Sequence, residues 1–132
     1  MKRNAELVAK TLDGRPLLHL ALPPSTNQRM KPIIVRRRPR LILTTEARAY
    51  IRRVGRLLAA WAKRAGFRPI ARQFVLPIWV VVPRSNCDPH NYEKVLFDAL
   101  ERGGIVANDK YILPQYQGAG HDPKAPGVTV LL

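Results

Sequence analysis

The chain has 132 residues, enough for one domain with a real core, and 46% of them are apolar. Lysine and arginine number 23 against 9 aspartates and glutamates, a formal net charge of +14. The partner expected for that imbalance is a polyanion, nucleic acid before a membrane surface.

A lone cysteine, Cys87, excludes an intrachain disulfide and fits a reducing compartment. The basic start, Met1-Lys2-Arg3-Asn4, lacks the apolar stretch of a secretion signal, and no apolar run is long enough to span a bilayer. These features predict a cytoplasmic protein with no membrane association.

In chain order, Leu7–Leu12 and residues 17–22 are apolar runs either side of Asp13-Gly14, a strong two-residue turn signal, and predict a hairpin. Leu22-Pro23-Pro24-Ser25-Thr26-Asn27 then stops the strand. Residues 28–43 are a basic connection. Arg36-Arg37-Arg38-Pro39-Arg40 lies between Ile33-Ile34-Val35 and Leu41-Ile42-Leu43, so either flank could be a short strand and the arginine run an exposed loop or hairpin tip.

The longest helix follows. Thr44 or Thr45 can cap it, Glu46 suits its first turn, and Gly66 stops it. Ile51, Val54, Leu58, Trp61 and Ala65 follow helical spacing as a core face, while Arg48, Arg52 and Arg56 recur on another. Phe74–Val82 is a near-continuous apolar run, read as a buried central strand whose Pro77 suggests a bulge or open edge. Asp88-Pro89 opens a second helix reaching about residue 100, ended by Gly103-Gly104. Residues 115–127 read as loop and residues 128–132 as a final strand. The fold class is α/β, a single domain with a mixed β-sheet and two main helices packed on it.

In so basic a chain, the placement of acids matters. Asp88, Glu93, Asp98, Glu101 and Asp109 fall in one short stretch. On a helix Asn91, Lys94 and Asp98 share one face, with His90 a turn before Lys94. A strand, helix, strand return could bring Asp109 beside Asp88. Two carboxylates there would hold a hard divalent cation such as Mg²⁺, which takes oxygen ligands and keeps several waters. A nearby lysine would offset charge building on a phosphate in the transition state.

Each residue also has a plain structural role. Asp88 can be a helix cap, Lys94 and Asp98 a surface pair, His90 a solvated polar residue, Asp109 a turn residue, and the arginine stripe a solvated face.

Ordered matches now add a resemblance. Leu22-Pro23-Pro24-Ser25-Thr26-Asn27, Thr45-Glu46-Ala47-Arg48-Ala49-Tyr50, Asp88-Pro89-His90-Asn91-Tyr92-Glu93-Lys94, Phe97-Asp98-Ala99-Leu100 and Asn108-Asp109 resemble segments of the RusA family of Holliday junction resolvases. The resemblance covers residues 17–132, leaving residues 1–16 as an N-terminal extension or hairpin strand. It implies a bacterial or phage-encoded, Mg²⁺-dependent (Mn²⁺ also suiting) endodeoxyribonuclease. Such an enzyme acts as a homodimer and resolves four-way DNA junctions by paired symmetric nicks.

By that resemblance Asp88, Lys94 and Asp109 are catalytic. Asp88, His90 and Asp109 form the metal shell, with Asn91 and Asp98 in support. Arg36, Arg37, Arg38, Arg40, Arg48, Arg52 and Arg56 are the candidate DNA contacts. His90 stands where the family has a second aspartate, and Asn108 where it often has the first of two. Imidazole is a poor Mg²⁺ ligand, so weaker Mg²⁺ affinity or a shifted metal preference is expected. The competing expectation is a non-catalytic basic nucleic-acid-binding protein of the same fold with an impaired metal site.

Overall fold

The computed structural model describes residues 7–25 and 30–132, and gives the backbone alone at residues 30 and 39–41. The reading of the first six residues, and of Thr26 and Asn27 in the Pro-Pro-Ser segment, lies outside the described residues. Among the described residues the strands and α-helices succeed one another as β1 (Leu7–Leu12), β2 (Arg15–Leu20), β3 (Met30–Val35), β4 (Arg38–Leu43), α1 (Thr45–Ala65), β5 (Phe74–Val82), α2 (Glu93–Arg102), β6 (Ile112–His121) and β7 (Gly127–Leu131).

A five-stranded sheet runs in the order β1-β2-β7-β5-β6, and β3 pairs with β4 in a two-stranded sheet of their own. Within this five-stranded sheet β5 and β6 run parallel and the other neighbouring strands antiparallel, so the sheet is mixed. The fold is therefore the α/β domain the periodicities predict. The division after residue 16 falls inside β2, and β1 is the edge strand bonded to it.

Burial alternates along β5. Leu76, Ile78, Val80 and Val82 are buried, while Val75 on the other side is 49% exposed. Both helices cover the one buried face: the core joins those side chains to Val54 and Leu58 of α1 and to Val95, Leu96 and Leu100 of α2. Each such aliphatic side chain removed from water stabilises the fold by about 1.5–3 kcal/mol. The apolar run of β5 reads as buried on both faces, but the second face carries no helix. Its irregularity falls just past Pro77. Ile78 pairs with Tyr116 and Trp79 with Gly118, so Gln117 of β6 is the extra residue.

α1 starts and stops where its caps predict. The Thr44 side chain accepts from the Ala47 N–H at its start, and Gly66 takes the left-handed conformation at its end. Ala65 is exposed, and Ala47, Tyr50, Gly55 and Ala62 belong to the buried stripe instead. The helices approach closely at two glycines. A Cβ on Gly103 would lie 2.6 Å from the Leu58 Cβ, and one on Gly55 2.9 Å from Arg102 Cγ.

Two predicted segments differ. The helix expected from residue 88 begins with a 3₁₀ turn, Pro89–Tyr92, and α2 starts only at Glu93. Pro89 and the Asp88 cap suit a first turn, but Tyr92 departs from helical geometry at φ −103°, ψ −3°. Residues 115–121, expected to be loop, belong to β6. Pro114, Gly118 and Gly120 argue against a strand; pairing with β5 along the sheet's edge overrides that preference. No helix among the described residues is long and apolar enough to cross a membrane.

Candidate active site

The acids gather around the β5–α2–β6 crossover. Asp88 ends the loop after β5, and its Oδ1 accepts from the His90 N–H at 2.9 Å. It is thus the cap that its place before Pro89 suggests. The 3₁₀ turn takes Asn91 off α2, while Lys94 and Asp98 remain one turn apart on it.

Lys94 is the centre of the arrangement. Its Nζ donates to Asp109 Oδ2 at 2.6 Å and lies 3.3 Å from Asp98 Oδ1. Asp109 opens a short 3₁₀ turn before β6, capped by the Asn108 side chain, which accepts from the Lys110 N–H. The Asp109 N–H donates to Glu101 Oε1 at 3.0 Å, tying that turn to the end of α2.

The hydrogen bond to Asp109 is the main reason the Lys94 ammonium holds its proton above the ordinary lysine range; burial opposes it and Asp98 adds to it. At neutral pH Lys94 is therefore a cation, suited to offsetting phosphate charge and not to accepting a proton.

A second group adjoins the first. The Tyr116 hydroxyl donates to Glu93 Oε2 at 2.8 Å, and its ring packs on His90 at 4.4 Å between centroids. Burial, then the Glu93 hydrogen bond and the charges of Glu93 and Asp88, push the Tyr116 phenol well above its ordinary value, so it remains a donor. Glu93 lies within the acid stretch, so its involvement was open to sequence reading. Tyr116 carries no such signal, because the strand that delivers it reads as loop.

An open cleft of about 440 Å³ lies beside Asp88. Pro23, Pro24 and Ser25, from the segment after β2, face Arg84, Asp88 and Asn91 across it. Tyr50 of α1 holds that segment through a 2.7 Å hydrogen bond from its hydroxyl to the Ala21 carbonyl. Two stretches far apart in sequence, both belonging to the family resemblance, thus line one cleft.

Asp88 and Asp109 carry the carboxylate oxygens that a hard cation such as Mg²⁺ takes, with water and phosphate oxygens completing its shell; in the structure the first caps the turn at His90 and the second receives Lys94. They do not form a closed cage. Among the described residues no three His, Cys, Asp or Glu side chains converge as metal ligands. The trio Asp88, His90 and Asp109 is not assembled: the His90 ring lies against Tyr116, and Asp109 receives Lys94.

Of the candidate DNA contacts, Arg36, Arg37 and Arg38 are exposed at the β3–β4 turn, and Arg48, Arg52 and Arg56 are exposed along α1. The Arg40 side chain lies outside the described residues. No model of a known protein family matches this chain, and no curated protein matches it.

Proposed function

We propose that this chain is a metal-dependent endodeoxyribonuclease of branched DNA, as its resemblance to the RusA-type resolvases implies, working as a homodimer on four-way junctions. The observation that carries the reading is the Lys94 ammonium held by Asp98 and Asp109 in a chain of net charge +14. A basic surface alone needs no carboxylates, because they weaken phosphate binding unless a cation lies between. A lysine held among acids is suited to managing charge at a phosphodiester.

Asp88 and Asp109 are the residues that would hold Mg²⁺, which when bound polarises the phosphoryl group and acidifies a water. Lys94, a cation throughout the neutral range, offsets charge developing on the phosphate oxygens. Exposed arginines on α1 and at the β3–β4 turn draw the duplex arms in, and binding falls steeply with salt. A homodimer matches the two-fold symmetry of paired nicks.

His90, which stands where the family has its second aspartate and whose ring lies against Tyr116, favours a second reading, a junction-binding protein with impaired chemistry. A synthetic four-way junction and a matching linear duplex, each with Mg²⁺, Mn²⁺ or chelator, separate the two. The nuclease nicks the junction symmetrically, stops with chelator, and loses cutting but not binding in Asp88→Asn. Tight junction binding with no product in either metal would leave the binding protein.

A further inference from the structure

The β3–β4 ribbon stands apart from the five-stranded sheet, its strands paired only with each other. Its base is anchored: Leu43, opposite Met30, packs against the core. Its far end is bare. Ile34 is 80% exposed, the most exposed large apolar side chain among the described residues, and the adjacent Val35 is 38% exposed.

The tip is Arg36-Arg37, both in the left-handed region at φ 50° and 62°. Asn-Gly would occupy such a two-residue turn with far less strain. Arg38 follows, and no aspartate or glutamate occurs between Asp13 and Glu46. The ribbon thus presents an apolar side chain beside three arginines, in a stretch without a negative charge.

Its dimensions suit a duplex. Six residues per strand, at roughly 3.3 Å each, give a ribbon about 20 Å long, against a major groove about 12 Å wide that admits a two-stranded β-ribbon. Apolar side chains inserted between base steps unstack and kink DNA. Steps at a branch point yield most easily, because their stacking is already interrupted.

We propose that the β3–β4 ribbon is a branch-sensing arm, with Arg36, Arg37 and Arg38 on the phosphates and Ile34 wedged against the bases at the junction centre. This rests on the DNA-binding part of the proposed function, but not on cutting. The arginines supply affinity for any duplex, and Ile34 supplies the preference for a branched one.

The test measures binding in chelator to a four-way junction carrying 2-aminopurine at its centre, and to a linear duplex of the same sequence. Ile34→Ser should reduce the junction-over-duplex preference roughly tenfold and abolish the rise in 2-aminopurine fluorescence. Arg36→Asn with Arg37→Gly keeps the turn; it should weaken both substrates alike and lower the log–log salt slope by about 1.8.

If the natural protein prefers the junction and Ile34→Ser keeps both that preference and the fluorescence rise, the arm inference falls and the functional reading stands. If the natural protein binds neither DNA, both fall. If sedimentation shows Ile34→Ser turning a dimer into a monomer, or Ile34 instead proves necessary for binding anionic vesicles, the ribbon serves a second copy or a lipid surface and the inference is overturned.

Discussion

The Lys94 cluster and the β3–β4 ribbon hold their charges in opposite ways. In the cluster, groups are fixed by partners: Lys94 by Asp98 and Asp109, Asp109 by Glu101, Glu93 by Tyr116. The helix that carries Lys94 is pressed into the core through Val95, Leu96 and Leu100. At the ribbon tip, three arginines stand exposed beyond a base where Leu43 packs against the core. Chemistry at a phosphorus atom needs positions held to a fraction of an ångström, so it belongs on an element locked by packing. Capture of a polyanion needs reach and charge, and a ribbon provides both without a fixed pose.

Replacing Lys94 by Ala is the hardest blow to that division. It should slow junction cleavage roughly 100- to 1,000-fold while junction affinity in chelator changes little. Equal cleavage by the variant and the natural protein would remove Lys94 from the chemistry and reduce the cluster to a surface ion pair.

Next is Gly103→Ala, which drives a Cβ to 2.6 Å from the Leu58 Cβ and 3.1 Å from the Gly55 carbonyl oxygen. Since φ at Gly103 is −78°, the effect is purely steric. Urea unfolding should show a loss of roughly 1–3 kcal/mol, with the salt slope of DNA binding unchanged where the fold persists. A neutral substitution would mean that α1 and α2 can part without cost, and that the cluster is less rigidly mounted than the ribbon contrast requires.

Tyr116→Phe keeps the ring against His90 and removes only the donor to Glu93. The expected loss is roughly 0.5–1.5 kcal/mol, measured by the same unfolding. A larger loss would make β6 the principal support of the site.

The smallest effect is in pH. Lys94 keeps its proton above its ordinary value of 10.5, so its contribution to stability is fully present below that value. It is lost as pH rises through the higher folded-state value. The stability difference between the natural protein and Lys94→Met should be flat from neutral pH to about pH 10 and shrink only beyond. A difference that shrinks between pH 6 and 9 would place the titration on another group. The Lys94 side chain is 43% exposed, so solvent screening keeps the whole effect small.

Much of this protein is written locally. The Asp13-Gly14 turn, the caps at Thr44 and Gly66, the helical stripe of Val54, Leu58 and Trp61, and the apolar run of β5 each specify their element from neighbours along the chain. The acid stretch marks out the candidate site in the same way, and the charge balance carries the proposal of a polyanionic partner. What the chain does not spell out is contact between distant residues. Gly118 and Gly120 become strand because β5 offers its backbone groups. Tyr116 then reaches Glu93, and Asp109 meets Lys94 fifteen residues away. Pro23 and Pro24 face Asp88 because Tyr50 holds the Ala21 carbonyl. Local preferences are set by dihedral angles and the next few side chains. Which charges meet, and which arginines are left to solvent, is decided only when the apolar faces of the sheet and helices are withdrawn from water together.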